Sequence, residues 1–133
     1  MIVVDASVLA NVVADDTEDG DAARARLSGE SVLHAPYLVD AEVMSVLRRR
    51  ALGGDLAERR AGQALDDLEA LRVVRYPHLP SARRVWELRE NVTAYDALYV
   101  ALAEALDCRL VTADARLARA QGPHCRIELL RSG

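Results

Sequence analysis

Four acidic residues, far apart in the sequence, occupy positions from which a carboxylate could act in catalysis: Asp5, Glu42, Asp96 and Asp114. Asp5 ends the short β-branched run that begins at Ile2, and Asp114 follows the apolar pair Leu110 and Val111. In open parallel sheets, ligands bind at the carboxyl ends of the strands, so both acids are expected at that edge. For either acid taken alone, capping of the following helix is a sufficient explanation.

Glu42 is the hardest of the four to explain as a surface charge. On a helical wheel it falls inside an apolar stripe. The stripe consists of Leu38, Val39, Val43 and Val46. A carboxylate on the core side of a helix needs a partner, because burying an unpaired charge is costly. All 17 basic residues are arginines, so the expected partner is a metal ion or an arginine.

Asp96 has two interpretations. It stands three residues after Thr93, a spacing close to that of a capping box. The segment 94–106 is apolar nearly all round, apart from Asp96 and Glu104, which is typical of a helix buried against a sheet. Asp96 therefore either supports the start of this helix or reaches from its first turn into a cleft with the other acids. The sequence leaves both open.

Four carboxylates at one edge of a sheet would repel each other unless cations bind or their pKa values rise. Mg²⁺ and Mn²⁺ prefer oxygen ligands, and two such ions about 4 Å apart can clamp the attacking and leaving oxygens in phosphodiester hydrolysis. This chemistry takes its nucleophile from water. It suits a chain that offers no credible Ser-His-Asp or Cys-His arrangement.

Composition excludes several other mechanisms. A P-loop and a Schiff-base enzyme both need a lysine, and the chain has none. The three histidines, His34, His78 and His124, lack the helical spacing of a zinc hydrolase. Cys108 and Cys125 are too few for a disulfide framework and are expected to be ordinary buried or half-buried thiols. The net charge of −4 leaves nucleic-acid binding open, because bound divalent ions would offset it and the arginines are clustered.

The elements that must position the acids follow from the apolar pattern. Strands are predicted at 2–5, 31–34, 73–75, 109–112 and 127–130, and helices at 7–14, 21–27, 38–51, 55–71, 81–90, 94–106 and 115–120. This alternation predicts an α/β fold, a three-layer α/β/α domain over residues 1–133 with a central, mostly parallel sheet of about five strands. No apolar stretch approaches the roughly 20 residues of a membrane span, and the first residues lack signal-peptide features, so a cytoplasmic protein is expected.

Two other motifs of the sequence lack a residue that their usual function requires. The acidic run 15–21 invites a calcium-loop interpretation, but Arg26 stands where that loop needs glutamate. A solvated loop with helix-capping acids is expected instead, with Asp21 opening the next helix. A phosphatase of the Asp-x-Asp type would need a second aspartate where Ser7 stands.

Four segments together resemble the PIN-domain family, and within it the VapC-type toxins of bacterial toxin–antitoxin pairs. They are residues 2–9 (IVVDASVL), the helix bearing Glu42, residues 93–103 (TAYDALYVALA) and residues 110–114 (LVTAD). Each motif is weak alone, but the set occurs in the family's order over nearly the whole chain. The resemblance implies a PIN-like fold and an Mg²⁺- or Mn²⁺-dependent endoribonuclease that is homodimeric and is held inactive by a cognate antitoxin.

The resemblance also assigns roles to individual residues. The catalytic and metal-binding residues it implies are Asp5, Glu42, Asp96 and Asp114, supported by Ser7 and Thr112. Each supporting residue lies two positions from an acid and so faces the same side of an extended segment. Some family members carry a further acid after the last one; here Arg116 and Arg119 occupy that region. A second metal is therefore expected to bind weakly or only with RNA, and these arginines are candidates for contacts with RNA phosphates.

Three expectations about binding complete the sequence analysis. Trp86 and four tyrosines, at 37, 76, 95 and 99, are the only large aromatic residues, so recognition through RNA shape and phosphates is expected. The dimer surface is expected on the helices between Leu38 and Leu71, because two consecutive amphipathic helices expose much apolar surface. The alternative function is a PIN-like module that binds RNA or protein without catalysis.

Overall fold

The computed structural model describes residues 1–131. Its five strands are β1 (Ile2–Val4), β2 (Leu33–Pro36), β3 (Val73–Tyr76), β4 (Arg109–Thr112) and β5 (Ile127–Leu129). They form one sheet in the order β3-β2-β1-β4-β5, and every neighbouring pair is parallel. The predicted α/β fold with a sheet of five strands is confirmed.

The sheet is flanked by helices. They are α1 (Ala6–Ala14), α2 (Glu18–Leu27), α3 (Leu38–Leu52), α4 (Glu58–Ala70), α5 (Ala82–Glu87), α6 (Ala94–Ala105) and α7 (Ala115–Ala118), with a 3₁₀ turn at Leu79–Ser81. None of the helices described within residues 1–131 is long and apolar enough to cross a membrane.

The two central strands, β1 and β4, hold the core. Val3, Val4, Leu110 and Val111 are completely buried, as expected for strands covered on both faces. Helix α6 packs against them through a face that includes Ala97, Val100 and Ala103, all buried. Because α6 leads directly into the parallel strand β4, its first turn lies toward the strands' carboxyl edge.

The strand order reverses between β1 and β4. The chain lays down β2 and β3 on one side of β1 and then crosses to form β4 and β5 on the other side. Such a switch point leaves a crevice beyond the carboxyl ends of the two central strands. Asp5 follows β1 as the N-cap of α1, and Asp114 follows β4 as the N-cap of α7. The topology therefore places both acids at the switch point.

Several element boundaries differ from the prediction by a few residues, and those of β2 and α2 have local reasons. Strand β2 lies two residues later than predicted and ends on Pro36, because a proline at the last position removes only one ladder donor. Helix α2 begins at Glu18 and not at Asp21, so part of the acidic run is helical. The Asp15 carboxylate accepts hydrogen bonds from the backbone N–H groups of Thr17 (2.8 Å) and Gly20 (3.3 Å), which organises this earlier start.

Helix α4 also begins later than predicted. Its predicted start was Asp55, but the N-cap position is Ala57, which makes no side-chain cap. Leu56, between them, is buried, so packing of that side chain decides where the connection ends. The two thiols, Cys108 and Cys125, are free and half-buried, as predicted.

Candidate active site

Asp5 lies at the centre of the switch point and is nearly inaccessible, with 6% of its surface exposed. Its Oδ1 atom accepts hydrogen bonds from Ser7 Oγ (2.6 Å) and the Val8 backbone N–H (3.2 Å), and its Oδ2 atom accepts one from Thr112 Oγ1 (2.5 Å). A carboxylate offers about four lone-pair sites. Three donors therefore fix the plane of the group and leave Oδ2 with a site for a further partner.

Ser7 and Thr112 connect Asp5 to the segment after β4. The Ser7 hydroxyl accepts the backbone N–H of Ala113 (3.0 Å), and the Thr112 hydroxyl accepts that of Asp114 (3.0 Å). Each hydroxyl thus donates to the Asp5 carboxylate and accepts from the β4–α7 connection. The positions predicted as supporting residues hold the first and last acids in a fixed relation.

Burial raises the pKa of Asp5 to about 6. The hydrogen bonds from Ser7, Thr112 and Val8 oppose this increase because they favour the charged form, and the negative charge of Asp96 adds to it. Asp5 forms no ion pair with any basic side chain within residues 1–131. Within the described residues, the buried Asp5 carboxylate is thus stabilised by hydrogen bonds and not by an ion pair.

Glu42 is half-buried on α3, and its partner is Tyr99. The phenol of Tyr99, which is 1% exposed, donates a hydrogen bond of 2.5 Å to Glu42 Oε1. The expectation of a metal ion or an arginine as the necessary partner is thus incomplete, because a tyrosine hydroxyl meets part of the need. Burial raises the pKa of Glu42; the Tyr99 hydrogen bond opposes the shift, and Asp96 adds to it.

Asp96 interacts electrostatically with all three other acids. Its charge raises the pKa values of Asp5 and Glu42. Burial raises the pKa of Asp96 itself, with a contribution from Asp114. Its backbone N–H donates to Thr93 Oγ1 (3.2 Å), so Thr93 caps α6 and turns Asp96 into the first turn. Both interpretations of the Thr93–Asp96 spacing therefore apply together.

Asp114 is half-buried and caps α7, its Oδ1 atom accepting the Arg116 backbone N–H at 2.9 Å. Capping and membership of the acidic cluster are again compatible, because a cap uses only one lone pair of the carboxylate. The cluster thus spans the ends of β1 and β4, the second turn of α3 and the first turn of α6.

Comparison with known proteins identifies the family of this chain. The family model described as PIN domain matches residues 2–123. The chain belongs to the PIN-domain family. It is 48% identical over 130 residues to Ribonuclease VapC1 of Mycobacterium tuberculosis, covering 97% of each chain.

Solved structures agree with this assignment of the PIN domain. The crystal structure of PAE2754 from Pyrobaculum aerophilum matches with a TM-score of 0.67 and 26% identity, over 96% of this chain and 83% of that one. The fold is also similar to that of Mycobacterium tuberculosis VapC20, described as a Sarcin-Ricin loop cleaving toxin. That match has a TM-score of 0.66 and 19% identity, over 89% of this chain and 93% of that one.

The two arginines predicted near the site of the PIN domain differ in placement. Both are exposed. The positive charge of Arg116 lowers the pKa of Asp96, which opposes the larger effect of burial, so its guanidinium lies near the cluster. Arg119, at the C-cap of α7, shows no such interaction in the described chain. The structure thus favours Arg116 of the two for a phosphate contact.

The acids of this PIN domain are suited to a hard divalent cation by their chemistry. Within residues 1–131, no three carboxylate, imidazole or thiol side chains are arranged as a ready-made metal site. The donors themselves fit Mg²⁺ or Mn²⁺: four carboxylates, with Oδ2 of Asp5 open to a further partner and no ion pair to any of them in the same part of the chain. Without a cation, mutual repulsion opposes their closer approach.

Tyr99 is the residue of this site that the sequence analysis missed. It appeared there only as one of a few aromatic residues. A signal was present, because Tyr99 stands three residues after Asp96 and therefore on the same face of α6. Burial of Tyr99 and its contact with Glu42 raise its pKa, so the phenol stays protonated and remains a donor at neutral pH.

Replacing Tyr99 with phenylalanine should lower the free energy of unfolding by about 1–2 kcal/mol at pH 7.5, because a hydrogen bond to a charged group is lost. At pH 4 the loss should be smaller, since a protonated Glu42 depends less on the donor. Urea denaturation at both pH values measures this. Tyr95→Phe is the matched control, because Tyr95 lies on the same helix with 63% of its surface exposed. Equal stability of Tyr99→Phe and wild type at pH 7.5 would contradict the assigned role of Tyr99.

Proposed function

We propose that this PIN domain is a metal-dependent endoribonuclease that acts as the toxin of a toxin–antitoxin pair. The observation that carries the proposal is the Asp5 carboxylate, which is buried at the switch point, forms no ion pair within residues 1–131 and lies within electrostatic reach of Asp96. Burying such a group is costly for the fold. If Asp5 binds a cation, the unfavourable burial of its charge serves the activity of the protein.

The relatives support the reaction class. VapC1, at 48% identity over nearly the whole of both chains, is named a ribonuclease. In this chain Asp5 and Asp114 follow the two central strands, and the charge of Asp96 acts on both Asp5 and Glu42, which supports a site built on these four acids. A ribonuclease built on carboxylates has no need of the serine, cysteine or lysine nucleophiles that this chain does not offer.

The residues that would hold Mg²⁺ or Mn²⁺ are Asp5, Glu42, Asp96 and Asp114. Bound there, the ion supplies Lewis acidity, which makes water a nucleophile at neutral pH and offsets negative charge on the phosphate.

The chain's own residues prepare the site. Ser7 and Thr112 fix the Asp5 carboxylate so that Oδ2 keeps an open lone pair, and Tyr99 holds one oxygen of Glu42. Arg116 places a positive charge beside the acids, where it can attract an RNA phosphate without giving up its proton.

We infer control by an antitoxin from the four acids, which form no ion pair within residues 1–131. A basic side chain of a partner, placed among the four carboxylates, would occupy the position of the metal and balance their charge. We propose that the cognate antitoxin acts in this way and that the toxin is a homodimer. Exposed apolar side chains on α3 and α4 favour that region for the dimer surface: Met44, Leu52 and Leu65.

The toxin role is tested by expressing the protein with and without the product of the neighbouring reading frame. Expression alone should arrest growth and produce new RNA 5′ ends, and co-expression should restore growth and abolish cleavage. Asp96→Asn is the control, since it should not arrest growth in either case. Equal arrest with and without the neighbour would remove the toxin–antitoxin part, and absence of new RNA ends would remove the nuclease part.

A further inference from the structure

The few large aromatic residues are unevenly distributed between the core and the surface. Tyr99 is buried against Glu42, and the Tyr76 hydroxyl lies 2.8 Å from His34 Nδ1. The other three, Tyr37, Trp86 and Tyr95, expose more than half of their surface. Exposing a ring forgoes the free energy that its burial would give. An exposed ring close to the acidic cluster is therefore a candidate for a ligand contact.

Tyr37 is the N-cap of α3 and lies at the carboxyl edge of the sheet, where the acidic cluster is. It directly follows β2, the neighbour of β1. The parallel register pairs Val3 with His34, and continuing it by two residues sets Asp5 level with Pro36. Adjacent strands are about 4.8 Å apart. The main chain of Tyr37 is therefore one residue and one strand spacing from that of Asp5.

The backbone around Tyr37 is held rigidly. Its N–H donates to the Tyr76 carbonyl (2.8 Å), and the next N–H, of Leu38, donates to His78 Nε2 (3.0 Å). The imidazole of His78 in turn packs against the Tyr37 ring, with centroids 6.2 Å apart and planes inclined by 54°. With the ring supported from one side, 58% of the residue is still exposed. A ring positioned in this way loses little entropy when a ligand stacks on it.

The other two exposed rings are less suitable. Trp86 already has the guanidinium of Arg89 over its ring, 4.6 Å from the centroid. Tyr95 precedes Asp96 on α6, where successive side chains point about 100° apart, so the two do not share a face. Tyr37 is the ring with both a fixed support and a position at the edge of the sheet that carries Asp5.

We propose that Tyr37 is a stacking platform for an unpaired nucleobase next to the cleaved phosphate. This rests on the proposed ribonuclease function and deepens it by naming the residue that holds the unpaired base beside the cut. Bases inside a duplex stack on each other and cannot offer a face to a side chain, whereas unpaired bases stack readily on aromatic rings. Stacking on Tyr37 adds a base contact to the phosphate attraction of Arg116.

Binding is measured by fluorescence anisotropy with a 5′-fluorescein-labelled, randomised 12-nucleotide RNA. Mg²⁺ is present, and all variants carry Asp96→Asn so that the probe stays intact. Tyr37→Ala should raise Kd roughly tenfold to a hundredfold, and Tyr37→Leu, which keeps bulk without a π-face, should do nearly the same. Tyr37→Phe should stay within about twofold of the parent, as should Trp86→Ala, the control for loss of an exposed ring.

Salt dependence separates stacking from charge. Tyr37→Ala removes no phosphate contact, so the slope of log Kd against log salt should not change, whereas Arg116→Ala should reduce it by about one. An unlabelled 12-base-pair duplex should compete poorly with the single strand for the parent, and this preference should shrink in Tyr37→Ala. Unchanged affinity of Tyr37→Ala, or no binding of the probe by the parent, would overturn the proposal.

A cleavage assay separates failure of the stacking proposal from failure of the proposed ribonuclease function. In this assay the proteins carry Asp96 again and are incubated with total RNA and Mn²⁺. If the protein with Tyr37 intact does not cleave RNA, the proposed function fails. Cleavage by Tyr37→Ala at the rate of the intact protein means that the stacking proposal alone fails.

Discussion

Asp5→Asn should reduce RNA cleavage by on the order of 10³-fold, because it removes a charge that the proposed site needs for its cation. Asparagine has the same shape as aspartate, and Ser7 and Thr112 remain to hold it. The fold should therefore persist, and the loss should appear in kcat more than in KM. Cleavage of a labelled RNA under single-turnover conditions with Mn²⁺ measures the effect.

The control for Asp5→Asn is Asp66→Asn, which removes one negative charge from an exposed position on α4. Its cleavage rate should remain within about twofold of wild type, since screened surface charges contribute little. Asp96→Asn should match Asp5→Asn, because Asp96 interacts with every other acid of the cluster. Cleavage by Asp5→Asn within tenfold of wild type would show that Asp5 holds structure only.

The second large effect is a pH-dependent stabilisation of the metal-free protein by the same substitution. The folded pKa of Asp5 is about 6, above its ordinary value of 3.8. A raised pKa means that the folded state binds the proton more tightly than the unfolded state. The favourable contribution of Asp5 is thus complete below pH 3.8 and is lost as the pH rises through 6.

The magnitude of that loss follows from the size of the pKa shift. A shift of about two pH units corresponds to about 3 kcal/mol. Asp5→Asn carries no charge at any pH, so its stability relative to wild type should increase by up to that amount between pH 4 and pH 7. Glu42 and Asp96, whose pKa values are also raised, are unchanged in both proteins.

Urea denaturation in EDTA across pH 4–7 measures this difference. Mn²⁺ at pH 7 should reverse it, because an ion that binds the folded state of wild type stabilises that state in proportion to its affinity. Asp66→Asn should follow the wild-type curve throughout. If the difference in free energy of unfolding between Asp5→Asn and wild type stays constant with pH, Asp5 does not titrate near pH 6. The claim that the acids of the cluster repel each other would then lose its basis.

Much of the fold is predictable from local pattern. Strands β1 and β4 are β-branched or apolar runs, each followed by a helix, and the alternation of strands and helices implies parallel pairing. The less accurate boundaries depend on contacts that are distant or specific to one side chain. The start of α2 depends on how the Asp15 carboxylate binds backbone N–H groups, and the start of α4 follows the burial of Leu56. Neither produces a periodic signal.

The candidate site shows the same division. The positions of Asp5 and Asp114 follow from strand ends, and Glu42 is noticeable because it interrupts an apolar stripe. The Tyr99–Glu42 hydrogen bond joins residues 57 positions apart, and a single sequence gives no information on that pairing. The exposure of Tyr37 is equally unpredictable. It depends on hydrogen bonds that the backbone of Tyr37 and Leu38 donates to Tyr76, in the neighbouring strand, and to His78, which follows that strand.

The central claim is that the acidic cluster binds the divalent ion on which RNA hydrolysis depends. The most direct test strips the purified protein with EDTA, removes the chelator, and follows cleavage of labelled RNA as Mn²⁺ or Mg²⁺ is returned. We expect no cleavage by the stripped wild type, recovery with either ion, and no recovery in a parallel preparation of Asp96→Asn. Cleavage at an undiminished rate in EDTA would contradict the claim, and RNA binding that is indifferent to metal and never followed by cleavage would favour a non-catalytic PIN module.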